Sequence, residues 1–289
     1  MSTAELDAAA PDALVEARLM AHNAVQIAAL AALANVAPRP DYSHTALHWD
    51  AASGGFETES IDTTDGPVFI RVTLSPLAMW LVRGGETVDT IDLSDTGEDA
   101  CIAWLDDGLT QRGLKPASGV KHPFKLPKDV VATTHFTTDG LEADLQVLSR
   151  WYDLANHELT SFAETHKDIV PGPGPVYCWP HHFDIATYVG LEAGDGETAR
   201  GVGIGMSPGD KSYGEPYFYI NPWPRPDAAK LPPPPAPGRW HTEGFVGAVA
   251  TASDVLGLSD VEAGLADFIE GAFAAGRNAL DGKSASGLD

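Results

Sequence analysis

Two histidines and one aspartate lie close together in the segment Trp179-Pro180-His181-His182-Phe183-Asp184. Imidazole nitrogens and carboxylate oxygens bind divalent ions such as zinc, iron or manganese. Successive side chains of an extended segment point to opposite faces, so His182 and Asp184 would share one face and His181 would lie on the other. The spacing therefore predicts His182 and Asp184 as ligands of a divalent metal. A third ligand must come from elsewhere, and the candidates are His22, His44, His48 and Glu215.

The same pair could carry acid–base chemistry without a metal. A histidine oriented by a carboxylate is a usable general base near neutral pH, so His182 is the candidate base and Asp184 the group that orients it. Same-face neighbours in a strand stand parallel rather than end-on, which makes a pairing such as His48 with Asp184 geometrically freer. The alternative is a scaffold in which these histidines hydrogen-bond to backbone groups near strand ends.

Further residues could line a ligand site. His22 and Gln26 are four residues apart on a predicted helix and therefore face the same direction. In a strand that begins at Tyr217, alternation puts Tyr217 and Tyr219 on one face, which could line a pocket for a flat or apolar ligand. The predicted ligand-binding residues are His22, Gln26, His44, Trp179, Tyr217 and Tyr219.

The charge of the chain restricts its partners. Its 289 residues include 18 Lys and Arg against 41 Asp and Glu, a net charge of −23. Such an acidic chain binds the phosphate backbone of nucleic acids poorly and is repelled by anionic membrane surfaces. We therefore expect neither nucleic acid nor a membrane as a partner. Five of the 18 basic residues lie between Arg112 and Val131, in a segment that we expect to be irregular.

The N-terminal residues and the cysteines indicate a cytoplasmic protein. No basic residue precedes Arg18, and the most apolar long segment, residues 25–36, is too short to span a membrane and lacks the layout of a signal peptide. Cys101 in a predicted helix and Cys178 in a predicted strand have no CxxC partner. We therefore expect two buried free thiols and no disulfide.

Periodicity and turn residues predict an α+β protein with an antiparallel sheet flanked by helices. Helices are predicted at residues 11–36, 100–111, 140–166, 243–256 and 260–280. Strands are predicted at residues 44–49, 56–62, 68–74, 78–83, 87–93, 176–179, 184–191, 201–206 and 217–221. Residues 222–238 are rich in proline and predict an extended surface excursion.

The order helix, about four strands, helix occurs twice, which suggests two related αβ4α halves. The sequence Pro171-Gly-Pro-Gly-Pro175 marks a boundary between residues 1–170 and a β-rich second half, residues 171–289, that ends in helices. In this scheme the helix at residues 100–111 corresponds to a helix at residues 245–256. The halves would pack into one compact unit with a ligand site at their seam.

Several segments resemble an uncharacterised bacterial family, domain of unknown function 5996. The similar segments are Ala21-His22-Asn-Ala-Val-Gln26, Ser43-His44, Gly55-Phe56-Glu-Thr58-Glu-Ser-Ile61, Trp179 with Phe183-Asp184-Ile-Ala186, Gly205-Met-Ser-Pro-Gly209 and Tyr217-Phe-Tyr-Ile-Asn-Pro-Trp-Pro224. They occur in the family's order and extend over nearly the whole chain. The resemblance implies a shared fold and a bacterial cytoplasmic setting, and it implies no activity because the family has none established.

The leading hypothesis is a small-molecule-binding protein or enzyme whose His- and Asp-lined pocket lies between the two halves. The alternative is a non-enzymatic interaction or structural protein that uses the aromatic, proline-rich surface from Tyr217 to Trp240. The chain contains no G-x-S-x-G elbow, no H-E-x-x-H motif and no P-loop. Gly201-Val-Gly203-Ile-Gly205 differs from a dinucleotide-binding G-x-G-x-x-G motif, and we interpret these glycines as points of close backbone approach or as bulges in a strand.

Overall fold

The structure of the protein, a computed structural model, describes residue 6, residues 10–194 and residues 199–281. Helices and antiparallel strands form an α+β fold, which confirms the predicted fold class. The chain divides into two compact units: the N-terminal unit comprises Ala13–Asp153 and Tyr177–Asp184, and the C-terminal unit comprises Met1–Asp12, Leu154–Val176 and Ile185–Asp289. Residues 1–5 and 7–9 of the N-terminal segment on which the cytoplasmic prediction rests lie outside the described residues.

The N-terminal unit is built on a six-stranded antiparallel sheet. A 3-10 turn at Pro11–Leu14 precedes helix α1, and a second 3-10 turn lies at Ser43–Thr45. The helices are α1 (Val15–Asn35), α2 (Glu98–Thr110), α3 (Lys128–Ala132) and the first part of α4 (Glu142–Thr165). The strands of the sheet, in spatial order, are β9 (Tyr177–Trp179), β1 (Leu47–Asp50), β2 (Gly55–Thr58), β3 (Val68–Leu74), β4 (Leu77–Arg83) and β5 (Glu86–Asp92). Two short strands, β6 (Thr96–Gly97) and β7 (His135–Phe136), pair separately.

Helix α1 forms the core of the N-terminal unit. Every residue from Ala21 to Ala32 is buried, and α1 packs against β2, β3 and β4 and against α2 and α3. Six of these twelve residues are alanines, whose small side chains allow close neighbours on several sides. Among the described residues, Pro11–Asn35 is the one helix that is long and apolar enough to cross a membrane. Since 78% of its most apolar window is buried inside the protein, packing already accounts for that apolar surface.

The C-terminal unit contains a second antiparallel arrangement of strands. Its helices are the remainder of α4, α5 (Ala252–Leu256) and α6 (Val261–Leu280), and a 3-10 turn lies at Ala228–Lys230. Its strands, in spatial order, are β13 (Arg239–His241), β14 (Gly247–Thr251), β12 (Tyr217–Trp223), β11 (Gly201–Ser207) and β10 (Asp184–Gly190), and β8 (Gly172–Pro173) pairs with β10. Helix α6 packs on β11 and β12. The Asp260 side chain caps α6 by accepting a hydrogen bond from the backbone N–H of Ala263 at 3.2 Å.

The predicted helix at residues 243–256 is wrong. Gly247–Thr251 forms β14, which pairs with β12 on one side and β13 on the other, and only Ala252–Leu256 is helical. All five residues of β14 are buried. The one polar residue of β14, Thr251, is itself buried, so the strand shows no alternation of polar and apolar residues and cannot be told from a buried helix by pattern. The proposed correspondence between residues 100–111 and residues 245–256 therefore does not hold.

The glycines of β11 mark close approach between neighbouring strands, as expected. A Cβ on Gly205 would lie 2.6 Å from the Tyr219 hydroxyl and 2.7 Å from the Ile185 carbonyl oxygen. A Cβ on Gly201 would lie 2.2 Å from the Tyr188 hydroxyl. Two tyrosine rings thus occupy the space above these glycines, so the Gly201–Gly205 pattern serves packing.

The proline-rich segment is held against the C-terminal unit. The Trp240 indole N–H donates a hydrogen bond to the carbonyl oxygen of Pro232 at 2.6 Å. A Cβ added to Gly271 of α6 would lie 3.0 Å from the Cβ atom of Pro235, so the segment passes close to that helix. The segment includes the 3-10 turn Ala228–Lys230 and passes close to α6 rather than forming a separate extended excursion.

The boundaries between the two compact units differ from the predicted boundary at residue 170. Residues Tyr177–Asp184 belong with α1 and β1 in the N-terminal unit, although they follow the Pro171–Pro175 sequence. The histidine-rich segment and the residues His22, Gln26 and His44 therefore all lie in the N-terminal unit, whereas Tyr217 and Tyr219 lie in the C-terminal unit.

Candidate functional site

The histidine-rich segment forms a tight turn between β9 and β10. The carbonyl oxygen of Trp179 accepts hydrogen bonds from the backbone N–H groups of His182 at 3.2 Å and Phe183 at 2.7 Å. Phe183 has a φ of 56°, in the left-handed region that a bulky residue rarely adopts. His181 and His182 are thus presented by a turn held in one conformation by hydrogen bonds.

The side chain of Phe183 anchors this turn in the core. Phe183 is fully buried, and its ring lies 5.3 Å from that of Tyr152 and 5.5 Å from that of Phe56. The Tyr152 hydroxyl donates a hydrogen bond to the Phe183 carbonyl oxygen at 2.5 Å. This aromatic packing offsets the cost of the unusual backbone conformation at Phe183.

His22 and Gln26 secure the same turn from helix α1. His22 Nε2 donates a hydrogen bond to the Pro180 carbonyl oxygen at 2.8 Å, and Gln26 Nε2 donates to the same oxygen. The two side chains therefore face the same direction, as the spacing predicted. The His22 ring also stacks on Phe183 at 5.0 Å. His22 and Gln26 thus position the turn through backbone contacts.

His22 is neutral at physiological pH because it is buried. Burial lowers the pKa of its imidazole to about 4, and the hydrogen bond to Pro180 opposes this only in part. The nearby charged or titratable groups are Arg18 on the same helix, Asp129 on α3 and His182 on the turn. Gln26 is also buried, and its Oε1 atom has no hydrogen-bond partner among the described residues.

His181 lies where two series of ring contacts meet. Its imidazole stacks on Phe124 at 4.3 Å with an interplanar angle of 20°, and Tyr42 meets the edge of Phe124 at 5.0 Å. On the other side, Trp179 lies 6.3 Å from His181, and the His182 ring lies 4.3 Å from it. We call the set of rings joined in this way the histidine–aromatic cluster: Tyr42, His44, His48, Phe124, Tyr177, Trp179, His181 and His182.

The Nδ1 atom of His181 is buried and has no hydrogen-bond partner among the residues described. Burial, and then the neighbouring His182, lower the pKa of the His181 imidazole to about 4, so the ring is neutral at pH 7. A buried ring nitrogen without a partner costs free energy of about 1–3 kcal/mol. A ligand or water that supplied the missing hydrogen bond would recover this free energy.

His44 is positioned by the backbone of the loop before β1. Its Nδ1 accepts a hydrogen bond from the Arg39 backbone N–H at 3.1 Å, which leaves the proton of the neutral ring on Nε2. Burial, and then the positive charge of Arg39, lower the pKa of His44. His44 stacks on Tyr42 at 6.0 Å, so its contact with the cluster runs through that ring.

The expected arrangement of His181, His182 and Asp184 is wrong. His182 is exposed and its ring lies against His181, although the two were predicted to point to opposite faces. The alternation rule applies to extended strands, and residues 180–183 form a turn whose left-handed residue Phe183 breaks the alternation before Asp184. Asp184 is half-buried. Burial raises the pKa values of Tyr152 and Cys178, and the nearby Asp184 carboxylate adds to both shifts.

The third metal ligand that the prediction required is not present in the described part of the chain. No group of three or more His, Cys, Asp or Glu side chains there could hold a metal ion. His22 and His44 each use one ring nitrogen for a hydrogen bond to a backbone group. Glu215 lies in the C-terminal unit, where its carboxylate accepts hydrogen bonds from the backbone and side chain of Ser253.

Tyr217 and Tyr219 have structural contacts in the C-terminal unit. Tyr217 is buried, and its hydroxyl donates a hydrogen bond to Asp210 Oδ2 at 3.1 Å. The Tyr219 ring packs over Gly205. Phe218 is buried as well, Trp240 is half-buried, and Trp223 is the exposed aromatic residue of the strip from Tyr217 to Trp240.

The two cysteines are buried free thiols, as expected. Cys101 lies in α2 and burial raises its pKa to about 11. Cys178 lies in β9, where burial and the nearby Asp184 raise its pKa well above the usual value. Both thiols are therefore protonated and unreactive at neutral pH.

Phe124 and Tyr42 belong to the site but were not predicted from the sequence. Phe124 is separated from His181 by many residues, and nothing in the local pattern indicates that their rings stack. One signal could have indicated it: Phe124 is the one Phe, Tyr or Trp in a basic, proline-containing segment, and a large apolar ring there is expected to pack against the rest of the protein.

No family model, no curated protein and no solved structure matches the chain. The resemblance to domain of unknown function 5996 therefore stays a prediction.

Proposed function

We propose that this protein binds a small molecule at the histidine–aromatic cluster of its N-terminal unit. The observation that carries the proposal is the buried Nδ1 atom of His181, which has no partner among the described residues. Ligand sites combine aromatic and apolar walls with a few polar groups that fix orientation, and this cluster has that composition. Its exposed and half-exposed rings, those of His182, Trp179 and Tyr177, offer contact area to a flat ligand.

The ligand would place a ring against the cluster and a hydrogen-bonding group at His181 Nδ1. Phe124 covers His181, and its chain segment has no regular secondary structure between α2 and α3. A shift of this single ring gives access to the nitrogen. The turn beneath does not need to move, since His22, Gln26 and Phe183 hold it. Catalytic roles for His182 and Asp184 stay predictions.

Ligand-observed NMR with phenol and indole as probes tests the proposal. Both probes should bind to the native protein, whereas cyclohexanol, which has no aromatic ring, should bind more weakly. His181→Phe keeps an aromatic ring at this position and removes both ring nitrogens, so phenol should bind about tenfold more weakly. The control is His157→Phe, the same change at an exposed position of α4. Circular dichroism should show that both variants are folded. Equal phenol binding by native protein and His181→Phe, or no binding of either probe, would refute the proposal.

A further inference from the structure

The segment that carries Phe124 has a charge opposite to that of the whole chain. Residues 112–128 contain five basic residues and no Asp or Glu: Arg112, Lys115, Lys121, Lys125 and Lys128. The chain as a whole has 41 acidic residues against 18 basic ones, so an even spread would put about one basic and two acidic residues there. We call residues 112–128 the basic segment. Its composition is a local reversal of charge beside the cluster.

The basic segment is fixed to the N-terminal unit by backbone contacts. The Lys115 backbone N–H donates to Asn35 Oδ1 at 2.8 Å, and Asn35 Nδ2 donates to the Lys115 carbonyl oxygen at 3.0 Å. Asp106 Oδ1 accepts hydrogen bonds from the backbone N–H groups of Ala117 at 2.6 Å and Ser118 at 3.0 Å. Burial alone would raise the pKa of Asp106, but a hydrogen bond from the Ser118 side chain and these backbone hydrogen bonds together outweigh it and lower the pKa. These anchors use backbone atoms and leave the lysine side chains available.

Two lysines of the basic segment lie close to Phe124 along the chain. Lys125 follows Phe124 directly and Lys121 precedes it by three residues, so their Cα atoms lie within about 4 and about 11 Å of that of Phe124. Both lysines are exposed. Neither lysine forms an ion pair with any residue that the structure describes. Two exposed lysines without an ion pair among the described residues therefore lie within a few residues of the ring that stacks on His181.

We propose that the ligand of the histidine–aromatic cluster is an aromatic anion, a small molecule that joins a flat ring to a carboxylate or phosphate group. This inference rests on the proposed function and adds the chemical class of its ligand. The ring packs on the cluster, and the anionic group interacts with the ammonium groups of Lys121 and Lys125. A neutral aromatic compound would use the rings alone. Because the rest of the chain is strongly acidic, only a local excess of positive charge makes an anion a favourable ligand.

Benzoate and benzamide test this inference, since they share a ring and nearly the same shape but differ in charge. Benzoate should bind to the native protein more tightly than benzamide. In Lys121→Gln/Lys125→Gln, benzoate should bind about threefold to tenfold more weakly and benzamide should be unchanged. The control is Lys211→Gln/Lys230→Gln, which changes the net charge equally at two exposed lysines of the C-terminal unit. Raising the salt concentration from about 0.05 to 0.5 M should weaken the binding of benzoate and leave the binding of benzamide unchanged.

Phenyl phosphate distinguishes a preference for phosphate from a preference for carboxylate. It should bind more tightly than benzoate if the site prefers a phosphate. Inorganic phosphate alone should bind more weakly than phenyl phosphate, because it lacks the ring. If benzamide binds in a His181-dependent manner but benzoate binds no more tightly, the inference is wrong and the proposed function stands. If both double variants lose benzoate binding equally, the basic segment has no special role. If neither compound binds, the proposed function fails as well.

Discussion

The burial of His22 predicts a loss of stability at mildly acidic pH. In the unfolded chain this imidazole has a pKa near 6.5, and in the folded protein burial lowers the pKa to about 4. Below pH 6.5 the unfolded state therefore takes up a proton that the folded state excludes. The contribution of His22 to stability is complete above pH 6.5 and is lost as the pH falls towards 4.

The size of this loss follows from the two pKa values. One pKa unit corresponds to about 1.4 kcal/mol, so the free energy of unfolding should fall by about 2 kcal/mol between pH 7 and pH 5 through His22 alone. At pH 4 the loss should reach about 3 kcal/mol. This is a substantial fraction of the stability of a typical domain.

The variant His22→Gln isolates this effect, because glutamine does not titrate and its amide can still donate a hydrogen bond to the Pro180 carbonyl oxygen. Urea unfolding followed by circular dichroism at pH 7 and pH 5 gives the fall in free energy for each protein. The fall should be smaller in His22→Gln by about 2 kcal/mol, whatever the variant's stability at pH 7. His157→Gln replaces an exposed histidine and should behave like the native chain. An equal fall in native protein and His22→Gln would refute the reasoning.

Three further predictions concern packing, the basic segment and the thiols. In a urea titration, Gly205→Ala should lower the free energy of unfolding by about 1–3 kcal/mol, because the new Cβ would lie 2.7 Å from a backbone carbonyl oxygen. The control Gly214→Ala has nothing within 4 Å of the new Cβ and should change the free energy of unfolding by less than about 0.5 kcal/mol. Asp106→Ala removes the acceptor for two backbone N–H groups and should cost about 1–2 kcal/mol, with faster amide hydrogen exchange confined to the basic segment; unchanged exchange there would contradict its anchoring role. Cys101 and Cys178 should not react with a thiol reagent such as dithionitrobenzoate at pH 7 until the protein is unfolded, and rapid labelling of the native protein would show that they are accessible.

Features that depend on short stretches of chain could be predicted from the sequence. The strand at Val68–Leu74 was predicted with the observed bounds, because its apolar residues alternate between clear turns. Helix α1 and the shared direction of His22 and Gln26 follow from a period of 3.6 residues. In each case the physical cause lies within a few residues of its effect.

The contacts that make the candidate site were decided by tertiary structure. The sequence shows two adjacent histidines before an aspartate, which suggests the alternating side chains of a strand. The left-handed conformation of Phe183 places these residues in a turn instead. That conformation depends on the packing of Phe183 against Phe56 and Tyr152. The role of β14 was hidden for a similar reason, since all five of its residues are buried and the sequence shows no alternation of polar and apolar residues.

The sequence by itself determined the acidic net charge, the basic segment, the α+β class and the helix that carries His22 and Gln26. Only the tertiary structure decided that Phe124 stacks on His181, that Pro180 takes the hydrogen bonds of both helix residues, and that His181 Nδ1 has no partner among the described residues. Composition and local periodicity act over one or two turns of chain. Stacking and hydrogen bonding between distant residues depend on how the elements pack, which local patterns do not encode.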